Sequence, residues 1–353
     1  MKFSTALINW YQQNKRDLPW RNTQNAYHIW LSEIILQQTR VAQGMPYYFK
    51  FVNRFADINN FAEATEDEIL NLWQGLGYYS RGRNMLKTAI SIKNNFGGVF
   101  PTKYKDLIGL IGIGEYTAAA ISSFAANEVR AVVDGNVYRV LARFFAIDTA
   151  INSTNGKKEF QNLANSLIDI QQPALFNQAI MEFGALVCKP KNPTCNLCSL
   201  NLNCIAYQQN KINQLPVKLK KLKIRERYFY FFVVNNNSQI VIKRRDNTDI
   251  WAGLHDFPSI ETPTLQTIGE VFANPQFNLW FSSGAVISKV GQPIKHLLTH
   301  QKIYAHFIEI SEFKTNIIKS NNWISVPINQ LEKFAQPKLI FTFLKNYLNL
   351  IKY

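Results

Sequence analysis

Three groups of residues in this 353-residue chain have types and spacings suited to chemistry. The first is a pair of carboxylates in unlike settings. Glu33 has Ile29, Trp30, Leu36 and Gln37 three and four positions away, on its own face of a helix. None of these is basic, so no intrahelical ion pair holds the carboxylate charged. So apolar a setting raises its pKa and suits it to donate a proton. Asp134 lies in Val132-Val133-Asp134-Gly135-Asn136-Val137, where an N-cap would precede a helix from Val137. A cap that accepts backbone amides is expected to stay ionised. One protonated and one ionised carboxyl is what cleavage of a glycosidic bond through an oxocarbenium-like sugar requires.

The second group is Cys188, Cys195, Cys198 and Cys204, all of the cysteines, within seventeen residues. Four clustered thiols in an intracellular chain indicate a metal site rather than disulfides. The Cys-x-x-Cys core gives one centre two thiolates and the outer pair closes it, an arrangement open to zinc or to an iron–sulfur cluster. The third group is glycine-rich: Leu107-Ile108-Gly109-Leu110-Ile111-Gly112-Ile113-Gly114-Glu115-Tyr116-Thr117-Ala118. Gly112 and Gly114 allow a tight turn between two helices. The free amides opening the second helix can then bind a phosphate oxygen.

The elements that hold these groups are helical as far as about residue 210. Apolar periodicity predicts helices over 26–43, 66–73, 82–92, 118–126, 137–145, 157–170 and 173–187. Thr65 ahead of Glu68 has the form of a capping box, and Gly97-Gly98 ends a helix before Pro101. Residues 213–227 carry Pro216 and six basic residues from Lys218 to Arg227, and read as a basic linker. From 228 the pattern turns to strands: 228–234 and 239–243 around the turn Asn235-Asn236-Asn237-Ser238, with others near 284–290 and 302–310. A helix over 337–350 closes the chain. The division expected is a mainly helical domain over 1–212, a linker over 213–227 and an α+β domain over 228–353.

Composition bounds the function. The chain is 47% apolar and 18% charged, as soluble globular proteins are, with no apolar run of membrane-spanning length. Met1-Lys2-Phe3-Ser4 opens without a signal peptide's apolar core, so an intracellular, cytoplasmic protein without membrane contact is expected. A net charge of +15 favours a polyanionic partner, and nucleic acid is the obvious one.

The motifs taken together resemble the adenine DNA glycosylase family of the helix–hairpin–helix, endonuclease III superfamily. Leu31-Ser32-Glu33-Ile34-Ile35-Leu36-Gln37-Gln38-Thr39 is similar to its acid-bearing helix, and Val133-Asp134-Gly135-Asn136-Val137-Tyr138-Arg139 to its second carboxylate motif. The resemblance implies that Glu33 protonates adenine N7, and an ionised Asp134 suits facing the oxocarbenium ion or attacking its anomeric carbon. The resemblance also implies that Asn136 orients the reacting groups or a water, and that Gln37 and Gln38 lie near the opposed strand or the extruded base. It assigns the cysteines to one [4Fe–4S] cluster, a structural one that holds a loop bearing Lys189 and Lys191 against phosphate. The endonuclease III branch carries a Schiff-base lysine where this chain has Tyr116. A monofunctional glycosylase follows, with Tyr116 beside the sugar. Glu115 departs from the Arg or Pro frequent in the family.

Gly75-Leu76-Gly77-Tyr78-Tyr79-Ser80-Arg81 resembles the segment whose first tyrosine, here Tyr78, wedges beside the oxidised guanine, with Arg81 near phosphate. Leu18-Pro19-Trp20-Arg21 places Trp20 and Arg21 near the adenine pocket. The C-terminal domain resembles the Nudix-like reader of 8-oxoguanine. Trp251-Ala252-Gly253-Leu254-His255-Asp256-Phe257-Pro258 carries the likeness, and Leu298-Thr299-His300 stands where the family has Phe-Ser-His. Thr299 keeps a hydroxyl, while Leu298 stacks less well than Phe. The clustered acids that bind magnesium in Nudix hydrolases are absent, which argues against nucleotide hydrolysis. The resemblance therefore implies a monomeric base excision repair enzyme acting on duplex DNA with adenine opposite 8-oxoguanine or guanine. The competing readings are a bifunctional pyrimidine glycosylase with lyase activity and a non-catalytic iron–sulfur DNA-binding protein.

Overall fold

A computed structural model describes residues 2–219, 224–236, 238–246, 249–281 and 285–350. Lys220 to Lys223 of the expected linker and Asn237 of the expected hairpin turn lie outside the described residues. The chain packs as two compact units: Met1–Glu63 with Asn84–Lys221, and Ala64–Arg83 with Leu222–Tyr353.

The first unit is helical. Its helices include Phe3–Asn14, Ala26–Ile35, Val41–Arg54, Glu115–Ala126, Gly135–Phe144, Thr154–Leu167 and Pro173–Leu186. Leu7 and Tyr11 of the first of these pack with Val137, Leu141, Phe160, Phe176 and Phe183 in one apolar core. A second, aromatic cluster joins Trp30 to Phe61, and Phe51 stacks on Phe61 with ring centroids 5.8 Å apart. The single helix expected over 26–43 is two. Ala26–Ile35 is capped by the Asn25 side chain, which accepts from the Tyr27 and His28 amides. The chain then turns through Leu36–Arg40, where Gln38 takes φ +57°, before the next helix. Ala26–Ile35 is buried nearly all round, and Val41–Arg54 buries Gly44, Tyr48 and Phe51.

The second unit is built on a mixed sheet. Arg225–Asn236 runs parallel to Gln301–Glu312, with Arg225 opposite Gln301 and Val234 opposite Ile310. Gln239–Arg244, Ser259–Thr262, Val286–Val290 and Ile294–Leu297 add antiparallel pairs. Tyr230, Phe232, Val241, Ile308 and Trp323 fill a core on one side. Aromatic and β-branched runs made the strands Arg225–Asn236, Gln239–Arg244, Val286–Val290 and Gln301–Glu312 visible in sequence, whereas the short Ser259–Thr262 and Ile294–Leu297 were not read.

The expected linker is shorter than its charge pattern indicated. Leu215 is buried in the helical core and Val217 accepts the Ile151 amide at 3.0 Å. At the other end, Arg225 to Arg227 belong to the first strand. Arg227 is buried, paired to Asp249 at 2.9 Å and to Glu261 at 2.6 Å. No described helix is long and apolar enough to cross a membrane.

Candidate active site

Nine of the ten residues in helix Ala26–Ile35 are buried, so any carboxylate on it must lose its water. Glu33 is 9% exposed. Burial pushes its pKa up to about 7, against a hydrogen bond from Tyr116 that pulls it down, and the Asp134 charge adds to the rise. The Tyr116 hydroxyl donates to Glu33 Oε2 at 2.8 Å. Tyr116 itself stands on the first turn of helix Glu115–Ala126, capped by Gly114. At Gly112, φ is +77° and a Cβ would meet the Asn84 Cβ at 2.8 Å, so this turn requires glycine.

Asp134 caps the next helix, as its sequence context predicts. Oδ1 accepts from the Asn136 and Val137 amides at 2.8 Å, and Oδ2 accepts from Asn136 Nδ2 at 2.8 Å. Burial nevertheless raises its pKa, with those hydrogen bonds and Arg139 pulling against the rise. The capping hydrogen bonds thus act against desolvation, as the sequence context leads one to expect of a capping carboxylate. The Asn136 amide is oriented in turn: its Oδ1 accepts from Arg139 Nη2 at 2.8 Å. Arg139 also donates to Gly184 O and Cys188 O, each at 2.6 Å. A continuous polar chain therefore runs from the cysteine loop to the capping carboxylate.

These groups line one cleft of about 1030 Å³ that brings together Glu33, Tyr116, Asp134, Asn136, Gln37, Gln38, Trp20, Arg21 and Gly114. Gln37 Nε2 lies 3.4 Å from Thr117 Oγ1. Trp20 is buried edge-on to Tyr48, with centroids 5.2 Å apart. Arg21 is held: its Nη2 donates to Glu182 Oε2 at 2.7 Å, and Arg16 binds the same carboxylate through Nε and Nη2 at 2.7 and 2.6 Å. Burial alone would raise Glu182, but the two guanidiniums hold it down at about 2. Sequence reasoning missed Glu182, Arg16 and Arg139 as parts of the site, although Arg139 stood within the second carboxylate motif. Their role depends on partners between 45 and 166 residues away.

Gly112 is outside the cleft lining, and five further expected contacts, Tyr78, Arg81, Leu298, Thr299 and His300, lie in the second unit. Tyr78, 43% exposed at φ +48°, donates a short hydrogen bond to Thr299 Oγ1. Arg81 stacks over Trp73 at 4.9 Å and over Tyr78 at 5.8 Å, and donates to Gly77 O at 3.2 Å. Thr299 and His300 are exposed at the turn between Ile294–Leu297 and Gln301–Glu312, where the half-buried Leu298 donates its amide to Gln301 O at 2.9 Å.

The four cysteines are all unbridged and partly buried. Among the described residues, no three His, Cys, Asp or Glu side chains gather closely enough to hold a metal ion. The thiols do sense one another. Burial, followed by the charges of neighbouring thiols, raises Cys195, Cys198 and Cys204, Cys198 to about 11. Arg143 Nη1 lies 3.5 Å from Cys188 Sγ and also holds Lys189 O at 2.7 Å. Four such thiols on one loop become thiolates readily only when a cationic centre binds them.

Comparison with known proteins shows the family of the chain. Residues 31–168 match the HhH-GPD superfamily of base excision DNA repair proteins, and residues 229–346 match the NUDIX domain. The adenine DNA glycosylase of Buchnera aphidicola subsp. Baizongia pistaciae is 37% identical over 324 residues, covering 91% of this chain and 89% of its own. A thermostable thymine-DNA glycosylase of known structure is 28% identical, with a TM-score of 0.55 over 59% of this chain and 95% of its own. Endonuclease III in a non-covalent complex with DNA has the same fold as the helical part, at a TM-score of 0.51 over 60% of this chain and 99% of its own, with 18% identity. With so similar a relative along nearly its whole length, the chain belongs to the adenine DNA glycosylase family and is a DNA glycosylase of base excision repair.

Proposed function

We propose that the protein hydrolyses the N-glycosidic bond of adenine placed opposite 8-oxoguanine or guanine in duplex DNA, by monofunctional chemistry. The observation that carries this reading is the pairing of Glu33, raised to about 7, with the capped Asp134 in one cleft. It is also supported by relatives named as adenine DNA glycosylases. Glu33, protonated near neutral pH, gives its proton to adenine N7. The C1′–N9 bond then breaks with its electron pair on the departing base. The Asp134 carboxylate, fixed by Asn136 and two backbone amides, stabilises the positive charge on the sugar. Water adds at C1′ and loses a proton, leaving an abasic site. Tyr116 holds the Glu33 carboxyl in place and offers no amine for a Schiff base, so the strand is not cut.

Gln37 and Gln38 line the same cleft toward the extruded base, and Trp20 walls it. The glycine turn at Gly112 and Gly114 offers free amides to a backbone phosphate. Tyr78 and Thr299, already hydrogen-bonded to one another, are the pair that distinguishes the oxidised guanine, flanked by Leu298, His300 and Arg81. Cys188, Cys195, Cys198 and Cys204 would hold one [4Fe–4S] cluster, on a loop whose backbone Arg139 and Arg143 already bind at Cys188 O and Lys189 O.

The test is single-turnover cleavage of duplexes carrying adenine opposite 8-oxoguanine, guanine and thymine, with alkali revealing abasic sites. Release in the first two duplexes, lost in Glu33→Gln, is the expected result. Strand breaks without alkali, or borohydride trapping on abasic DNA, would support lyase chemistry instead. Absence of adenine release from every duplex would mean that the fold serves DNA binding or the excision of another base.

A further inference from the structure

Behind the catalytic cleft lies a second hollow of about 500 Å³, walled in part by Gln24, Asn127, Gln171 and Gln172. Arg21, Phe124 and Gln178 line both it and the cleft, so the two spaces adjoin through these three side chains. The position follows from the helix Glu115–Ala126. Its first turn, with Gly114 and Tyr116, lies at the phosphate-binding end of the cleft. Phe124 and Asn127 stand toward the other end, roughly 12 to 20 Å away at the rise of an α-helix. The hollow therefore lies at the end of this helix remote from the Gly112–Gly114 turn.

Its chemistry is narrow. Arg21 is the one ionisable side chain in its wall, and that guanidinium is already engaged by Glu182. The amides of Gln24, Asn127, Gln171 and Gln172 make no hydrogen bond with their side chains among the described residues. Side-chain amides present a donor beside an acceptor, the complement of the adenine N6/N7 edge. A neutral heterocycle with paired donors and acceptors fits such a wall, and a phosphate or a sugar-bound anion does not.

We propose that this hollow is a binding and exit site for the free purine base. The inference rests on the adenine-excision reading above. Once the glycosidic bond is cut, the base is enclosed between the cleft and the DNA over its mouth. Movement past Phe124 into the amide-lined hollow takes it out while the abasic strand stays bound.

Equilibrium dialysis of the full-length protein with radiolabelled adenine tests this, alongside single-turnover excision. The variants are Gln171→Leu/Gln172→Leu, which removes two exposed amides, and Ala174→Trp, which fills the hollow from its wall. Expected are adenine binding weakened about tenfold in the first, the scale of one lost bidentate amide pair, and abolished in the second. Excision rates stay at the parent value in both. Excision with no binding of free adenine, or binding equal in parent and variants, overturns the site and leaves the glycosylase reading standing. Absence of adenine excision by the parent protein removes the reading on which the site rests.

Discussion

A buried carboxyl is a general acid only while it keeps its proton. With Glu33 pushed up to about 7, single-turnover excision falls about tenfold per pH unit once the pH exceeds 7. Tyr116→Phe removes the hydrogen bond that pulls this value down, so its alkaline limb moves to higher pH. A rate profile whose limb stays in place would sink Glu33 as the acid. The same shift bears on stability. The folded value lies above the ordinary 4.5, so the associated stability is fully present below pH 4.5 and is lost as pH rises through 7. At about 1.4 kcal/mol per unit the loss is about 3 kcal/mol. Glu33→Gln should therefore be more stable than the parent in urea at pH 8 and no different at pH 4. This carboxyl was legible in sequence because its burial follows from neighbours on its own helix. Glu182 was not, because the arginines that hold it ionised lie on the far side of the fold in sequence terms.

Between helices the contact that sets the site is made by backbone. A Cβ at Gly184 would lie 2.7 Å from the Asn136 Cβ and 3.0 Å from its carbonyl oxygen, so the helix Pro173–Leu186 approaches Asn136 as only glycine permits. Gly184→Ala must push Asn136 away from Asp134 and disturb the Arg139 bond to Gly184 O. The expected result is a loss of excision rate of at least tenfold, with Glu33's pH limb unmoved and the melting temperature lowered by several degrees. A variant with parental rate would show that Asn136 does not orient Asp134. Arg139→Gln, which removes the same bridge from the other side, should lower the rate without crowding the helices. The elements themselves were readable where a period was long and unbroken, as in Pro173–Leu186. The turn at Leu36–Arg40 was not, since no glycine or proline within it marks the break between the two helices.

At the scale of the whole chain, the division into units does not follow chain order. Residues 64–83, which the sequence groups with the helical domain by their periodicity, pack with the C-terminal unit. The Tyr79 hydroxyl donates to Gln336 O at 3.0 Å, Arg83 Nη1 reaches Ala252 O, and Arg244 pairs with Glu66 at 3.1 Å. Helical periodicity reports that a segment has an apolar face and is silent about which partner covers it, so this assignment was beyond the sequence. It has a consequence for truncation. A fragment ending at residue 221 keeps every helix of the sequence-read glycosylase domain but strips the cover from 64–83, including buried Leu70, Trp73 and Tyr79. Hydrogen exchange should show amide protection in 66–82 collapsing in that fragment, while Pro173–Leu186 and Gly135–Phe144 stay protected. Because Tyr78 lies in the same segment, adenine excision opposite 8-oxoguanine should fall toward the rate opposite guanine. Full protection of 66–82 in the fragment would mean that the segment folds on the helical unit alone, and that Tyr78 is positioned without the C-terminal sheet.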